Sequence, residues 1–426
     1  MHNIRPAKIT SPITTLSDSY NRTMMIGLVL GAIGLGIAAA FSIFSEGGFR
    51  QFSFTYLVSF CFLLTMSIGC LFFVLMMHLT RAGWGVTVRR IAELFAMCVA
   101  PLFILALPII LPVVIGQDVL YPWVAEGYSA HTAEDQAAIQ ASGAIPPIES
   151  GKAGYLNPWF FTARVVIYFA IWAAMAWFFL RNSLKQDETG EKKLSLKMQG
   201  LSAPLTILFA VTIVFSSFDF EMSLAPLWFS TMFPVYFFAG SFLSATALIC
   251  LTGLLLQRSG RVTDEITVDH YHDLAKLMFA FVFFWGYIGF SQFMLIWYAN
   301  IPEETFWFDW RINSPYGWQK FSLLLLVGHL FIPFLGLMAR TVRRNKTFLF
   351  FASIYILVMH WIDHYWVIMP QLYPEHTFTF NPLVDIPCVV GMVGLFITMF
   401  CLIAGRKSLV PLKDPRLGES LNFKNP

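Results

Sequence analysis

Apolar runs alternate with short polar connections along almost the whole chain. Ten such runs stand out, at 23–45, 52–79, 91–115, 158–180, 201–217, 229–257, 274–300, 317–339, 347–369 and 382–404. A helix rises about 1.5 Å per residue and needs about 20 residues to cross roughly 30 Å of hydrocarbon. The pattern predicts ten transmembrane helices, numbered 1 to 10 in chain order, with 201–217 the shortest at 17 residues. Arg5, Lys8 and Arg22 precede a first run too long for the apolar core of a signal peptide, which predicts an uncleaved anchor.

Composition supports a polytopic membrane protein with a single membrane domain over 1–426. The chain is 57% hydrophobic and 17% aromatic, and its 12% of charged residues is half the roughly 25% usual in soluble domains. Mean hydropathy is +0.66. A net charge of +3 is too small for a nucleic-acid binder. All six cysteines (Cys61, Cys70, Cys98, Cys250, Cys388, Cys401) lie in apolar runs without a Cys-x-x-Cys pair, which removes support for iron–sulfur ligation, c-type haem attachment or a disulfide framework.

Basic residues set the orientation. The N-terminal segment, the even-numbered connections and the C-terminal tail hold 22 of the 28 Lys and Arg, whereas the odd-numbered connections hold three, Arg50, Lys152 and Arg311. By the positive-inside rule both termini are cytoplasmic. Among outward connections, 116–157 is long; Thr132 and Asp135 predict a capping box for a short helix to Ala141, stopped by Pro146-Pro147. A loop of this length on an otherwise trimmed chain suggests a docking surface for an extracytoplasmic partner. The inward connection 181–200 reads as a solvated linker.

Ionisable residues inside a span are expensive and mark functional candidates. One cluster lies near the cytoplasmic face: His78 on helix 2, Glu93 on helix 3, His272, Asp273 and Lys276 at the start of helix 7. Either Glu93 pairs with Arg89 or Arg90 while Lys276 snorkels, or the group takes up protons. The outer cluster comprises Arg164 on helix 4, His329 on helix 8, His360, Asp363 and His364 on helix 9, and Asp385 opening helix 10; Asp219 and Glu221 end helix 5 on the same side. Spacings of three and four put His360, Asp363 and His364 on one face. A carboxylate between two imidazoles suits a proton relay; a His-x-x-x-His metal site, a b-type haem held by His329 and His360, a quinone-facing role and ordinary buried histidines also fit. Pro101, Pro108, Pro112, Pro234 and Pro333 interrupt helices and make room for cavities. An open, partly apolar pocket around His329, His360 and Asp363 that reaches the lipid would favour quinol; a closed and tightly packed one would favour a structural role.

The stretch from Phe218 through Asp219, Glu221 and Trp228 to Phe233, with Tyr236 and Gly240, resembles the membrane subunits of alternative complex III. So does the block from His270-Tyr271-His272-Asp273 through Phe284-Trp285-Gly286 and Gln292 to Glu303-Glu304-Thr305. This second block resembles the smaller of that complex's two paralogous ten-helix proteins more than the larger one. The family is similar to the NrfD-type (polysulfide-reductase) membrane subunits. The resemblance implies an all-α integral membrane fold of two four-helix bundles, helices 2–5 (about 52–217) and 6–9 (about 229–369), flanked by peripheral helices 1 and 10. It further implies a bacterial inner-membrane complex that oxidises menaquinol. The partners would be a paralogous ten-helix subunit, an iron–sulfur subunit and c-type cytochrome subunits, with membrane lipid around them and no redox cofactor bound covalently in this chain. Within the family the quinol site beside the clusters is assigned to the larger paralogue, while the smaller one is classed as quinone-binding as well.

The leading expectation is therefore an accessory subunit of a quinol-oxidising complex, contributing bundle structure and a proton path. In that path protons are taken up at His78, Glu93 and His272 and leave through Asp363, His364 and their neighbours. Its rivals are a proton-coupled secondary transporter, which would show Gly/Pro-interrupted helices at corresponding positions in the two halves, and a b-haem membrane anchor.

Overall fold

The computed structural model describes residues 9, 11, 14–16, 19–44, 47–125, 150–313, 316–373 and 375–425. The helix expected to run from Thr132 to Ala141 lies outside them, as does most of the expected docking loop. Ten helices are each long and apolar enough to cross a membrane: α1 Tyr20–Ser42, α2 Gly48–Leu79, α3 Val86–Val114, α4 Pro158–Thr189, α5 Lys192–Leu224, α6 Phe233–Arg258, α7 Val268–Ala299, α8 Gln319–Met338, α9 Lys346–Gln371 and α10 Pro382–Ala404. The described residues form no strand. This is an all-α, ten-helix membrane fold.

Helices α2 to α5 close one ring of four, and α6 to α9 close another; α2 and α6, the two most buried helices, join them back to back. Their approach depends on Gly69, where a Cβ would sit 2.0 Å from the carbonyl oxygen of Ser241. Helix α1 packs chiefly on α10, outside the rings. There Gly27 faces Gly394 and Gly34 faces Gly391, a small-residue seam that lets two backbones touch where lipid offers no hydrophobic drive to association.

Three departures from the sequence reading have physical causes. The connection 181–200 is not a linker: α4 runs to Thr189 and α5 starts at Lys192, because Lys, Glu and Gln are good helix formers. Only Gly190 and Glu191 turn the chain, Gly190 in the left-handed conformation with φ +69° and Glu191 extended. Helix α3 begins at Val86, five residues early, and carries Arg89 and Arg90 into the interior, then breaks at Cys98, where Pro101 cannot donate to the carbonyl of Met97. In α8 the segment Leu325–Phe331 widens into a π-helix, and the Ile332 N–H reaches back to Val327. Pro333 removes the bond that the His329 carbonyl would otherwise accept, and the wider turn gives its ring room.

The basic end is closed by the C-terminal tail. Asp414 meets Arg89 at 2.7 Å, Asp187 of α4 accepts from the Leu412 N–H at 2.7 Å, and Ser420 lies 3.1 Å from His270 Nε2 and donates to the Trp84 carbonyl at 2.6 Å.

Candidate functional site

Helix α9 supplies the centre of the site. One turn separates His360 from His364, and both rings turn inward with Asp363, all three buried. The His364 Nδ1–H donates to Glu221 Oε1 at 2.7 Å; Glu221 stands where the body of α5 gives way to a tight turn. The two Nε2 atoms lie 3.2 Å apart, and Thr65 Oγ1 of α2 sits 2.9 Å from His360 Nε2 and 3.2 Å from His364 Nε2. Thr65, Glu221, His360 and His364 thus tie α2, α5 and α9 together in the core where the two rings meet.

Asp363 turns to the other side. The Tyr236 hydroxyl on α6 donates to Asp363 Oδ1, and the Trp285 Nε1–H on α7 donates to Oδ2 at 3.0 Å. Both aromatic residues also form the inner wall of a cleft of about 830 Å³ between α7 and α8. Its lining is almost wholly apolar, including Phe283, Phe290, Leu326 and Phe331, and it is open on one side; Trp307 and Trp366 stand at one end. Exposed Phe290, Leu326 and Phe331 put the opening on the lipid-facing surface. His329 is stacked on Trp285, ring centroids 4.2 Å apart, and lies 6.5 Å from the His360 ring. His329, His360 and Asp363 are buried and do not line the cleft, which stands one aromatic layer away; the packing of the histidines themselves is that of a structural group.

Of the outer-cluster candidates, His329, His360, Asp363 and His364 are brought together, with Glu221. Arg164 and Asp385 are not hydrogen-bonded to this group. Arg164 forms a two-pronged ion pair with Asp219 at 2.9 and 2.7 Å, to which the Tyr168 hydroxyl adds a bond at 2.8 Å. Asp385 accepts from Thr55 at 2.6 Å, from Tyr365 at 2.9 Å and from the Asn381 N–H at 2.8 Å, a knot joining α2, α9 and α10.

At the basic end, Glu93 accepts from Arg89 Nε and Arg90 Nε, each at 3.0 Å, and Arg90 also meets Asp187 at 2.7 Å. Both carboxylate oxygens of Glu93 are thus engaged by guanidinium groups. His78 stacks on Phe179 at 5.1 Å. Asp273 pairs with the half-exposed Lys276, and buried His272 stands beside them on α7. The contacts of Glu93 and of Asp273 are separate knots, without a hydrogen bond joining them among the described residues.

Sequence reasoning missed Thr65 and the roles of Tyr236 and Trp285. A buried Tyr or Trp usually finds a partner for its O–H or N–H, which is the signal that could have drawn attention to both. It also missed Arg311, on the short helix Pro302–Ile312. This fully buried residue donates to the carbonyls of Trp307 at 2.6 Å, Val367 at 2.7 Å and Trp366 at 3.2 Å, with its guanidinium 3.4 Å over the Trp307 ring. Burial pushes its ionisation down from the usual arginine range, yet a guanidinium keeps its proton in proteins, so a cation caps the last turn of α9 beside the cleft's end.

Among the described residues no group of three or more His, Cys, Asp or Glu is arranged to hold a metal ion. For a haem between His329 and His360, the His360 Nε2 is already engaged by Thr65 and His364. Searched against known protein families and curated proteins, the chain matches neither a family model nor a curated protein.

Proposed function

We propose that this chain is a multi-pass subunit of a quinol-oxidising respiratory complex of the alternative complex III kind, in a bacterial cytoplasmic membrane. The observation that carries the reading is Asp363, a buried carboxylate held by Tyr236 and Trp285, the two residues that also wall the lipid-side cleft. A cleft of about 830 Å³ suits a drug-sized or larger apolar body with few polar contacts. Menaquinol enters from the lipid with its ring toward Tyr236. The Tyr236 proton is committed to Asp363, so its oxygen accepts from a quinol hydroxyl, and a shift of both protons delivers one to Asp363. Oxidation to quinone releases two protons and two electrons, the second proton following the same path through Tyr236 once Asp363 has handed on the first. The electrons pass to iron–sulfur and c-type haem carriers on partner subunits, because this chain offers no ligand motif for either.

The transporter rival expects interruptions at corresponding helices. Those found include α3 and α8, the third helices of the halves α1–α5 and α6–α10, so interruptions do not separate the two readings, and copurification with haem-bearing partners does.

Photolabelling the purified complex with an azido-quinone tests the assignment. Label on α7 and α8 peptides, competed by menaquinol, is expected. Label confined to other subunits would remove the quinol from this chain, and a chain that purifies without haem-bearing partners would remove the complex.

A further inference from the structure

Hydrogen-bond direction can be followed along the histidine group. Glu221 is an acceptor, so His364 must donate through Nδ1, and the Nε2 of neutral His364 is left as an acceptor. With the Thr65 hydroxyl proton given to the Cys61 carbonyl at 2.8 Å, His360 Nε2 then carries a proton that His364 Nε2 at 3.2 Å and Thr65 Oγ1 at 2.9 Å accept. This assigns the bare lone pair of His360 to Nδ1, which has no hydrogen-bond partner among the described residues. His329 is fully buried, and neither of its ring nitrogens has one either. A neutral imidazole carries one N–H and one lone pair. Left dry, three buried ring nitrogens on two neighbouring rings would each forgo a hydrogen bond, which native interiors avoid.

The helix facing His360 leaves space at that nitrogen. Gly240 of α6 has no side chain there, and a Cβ would come within 3.0 Å of His360 Cε1 and 3.3 Å of Nδ1. Any larger residue would cover the lone pair. With ring centroids 6.5 Å apart, the two imidazoles are at a distance that one small molecule can span.

We infer that His329 and His360 hold a buried water molecule beside Gly240. The water accepts from a His329 N–H and donates to His360 Nδ1. Every bond then runs in one sense, from His329 through the water, His360 and His364 to Glu221. One proton can hop along such a chain, each imidazole receiving it on one nitrogen and releasing another from the other, and the rings and the water must turn over before the next follows; no net charge remains once Glu221 hands its proton on. His329 stacks on Trp285, whose Nε1–H is bonded to Asp363, and among the described residues no hydrogen bond joins His329 to Asp363. The chain's use as a route for quinol protons rests on the function proposed above; the water itself does not.

A density map of the full chain in lipid nanodiscs, at a resolution that resolves ordered water, tests this directly. The wild type is expected to show a peak within hydrogen-bonding distance of His360 Nδ1 and one His329 nitrogen. His329→Gln, which keeps a donor and an acceptor, should retain the peak, whereas His329→Leu and Gly240→Ala should lose it. No peak in the wild type, or a peak that persists in His329→Leu, overturns the inference. The map reads the water whether or not quinol is oxidised, so failure of the quinol assignment leaves this result standing. In the intact complex, Gly240→Ala is expected to lower protons released per quinol by at least half at unchanged binding of the azido-quinone; an unchanged ratio would overturn the role as a proton route.

Discussion

The Tyr236 hydroxyl on α6 donates to the Asp363 carboxylate on α9, and the same phenol faces the lipid-side cleft. The Tyr236 side chain thus lies between the space open to a hydrophobic ligand and a buried proton acceptor, to which its hydroxyl oxygen is bonded. Tyr236→Phe removes that oxygen and little else. General acid–base steps contribute about 10²–10⁴-fold to rates, so Tyr236→Phe and Asp363→Asn are each expected to lower quinol oxidation by about 10²-fold. Binding of the azido-quinone should be retained, because the apolar walls are intact. Steady-state turnover with parallel photolabelling checks the split; full turnover in Asp363→Asn would exclude the carboxylate as proton acceptor.

Arg164 and Asp219 lock α4 to α5 beside the site without joining it. Breaking a buried ion pair from one side leaves a charge without compensation and costs about 3–5 kcal/mol. Arg164→Met should therefore lower the unfolding temperature sharply. Arg164→Met combined with Asp219→Asn should recover most of the loss, since no isolated charge remains. Thermal unfolding in nanodiscs of the two single variants and the double variant measures the coupling; additive losses would show that the pair contributes nothing as a pair.

The ten spans could be read because each is a long apolar run, and the alternation of basic connections counts them independently. His360, Asp363 and His364 were visible for a similar reason: a titratable residue stands out against 57% hydrophobic background. Their partners did not stand out. Tyr236 and Trp285 are two among 71 aromatic residues in Phe, Trp and Tyr, and no local spacing says which aromatic crosses to another helix. Glu221 was visible as a charge at the end of helix 5, but not as the acceptor for His364, 143 positions along the chain. Arg164 and Asp385 share the depth of the histidines but meet other partners. Depth in the membrane follows from sequence position, whereas the face on which a residue meets its partner follows from helix packing. At the basic end the pairing of Glu93 with Arg89 and Arg90 was readable from their spacing, whereas Asp187 looked solvated because it lies in a connection; folded, it pairs with Arg90 on a continued helix.

Gly69 allows α2 and α6 to cross, and both rings depend on that crossing. A methyl group there would sit 2.0 Å from a main-chain oxygen of Ser241, which cannot rotate away. Overpacking of a tight core costs about 1–3 kcal/mol or more, so Gly69→Ala should reduce the yield of folded chain severely. Gly36 of α1, where a Cβ would meet nothing within 4 Å, is the matched control. Gly36→Ala should be neutral or stabilising by up to about 1 kcal/mol, the helix-propensity difference. Monodisperse yield after detergent extraction compares them, and equal yields would contradict the packing account.

Arg311 fixes the end of the cleft by holding the carbonyls of Trp366 and Val367 while its own carbonyl accepts from Ser322 Oγ at 2.7 Å; Ser322 in turn accepts from Trp366 Nε1 at 2.8 Å. Hydrogen bonds from a charged group contribute about 1.5–3 kcal/mol each. Arg311→Met strands these carbonyls and should lower the unfolding temperature more than Arg311→Lys, which keeps the charge but loses the planar fork. Azido-quinone label should spread to α9 peptides in both, as Trp366 is released. Equal stability of the two variants with wild type would show that the cap is dispensable.

His376 gives a pH signature at the end of the molecule opposite the C-terminal tail. It lies outside the spans, its ring stacked 3.5 Å from Trp310 and its Nδ1 2.8 Å from the Pro370 carbonyl, while its own carbonyl accepts from Trp318 Nε1 at 3.0 Å. Burial, the largest influence, lowers its ionisation below the ordinary histidine value of 6.5. The folded segment therefore favours the neutral ring, and the unfolded chain takes up a proton first as pH falls. Its contribution to stability is complete above about pH 6.5 and is lost as pH drops through the lower folded value. Unfolding of this segment, followed by hydrogen exchange at residues 370–380, should be more frequent at pH 5 than at pH 7.5. His376→Phe keeps the stacking on Trp310 and removes the titration, so its exchange should vary less between the two pH values; an unchanged pH difference in the variant would assign the effect to another group.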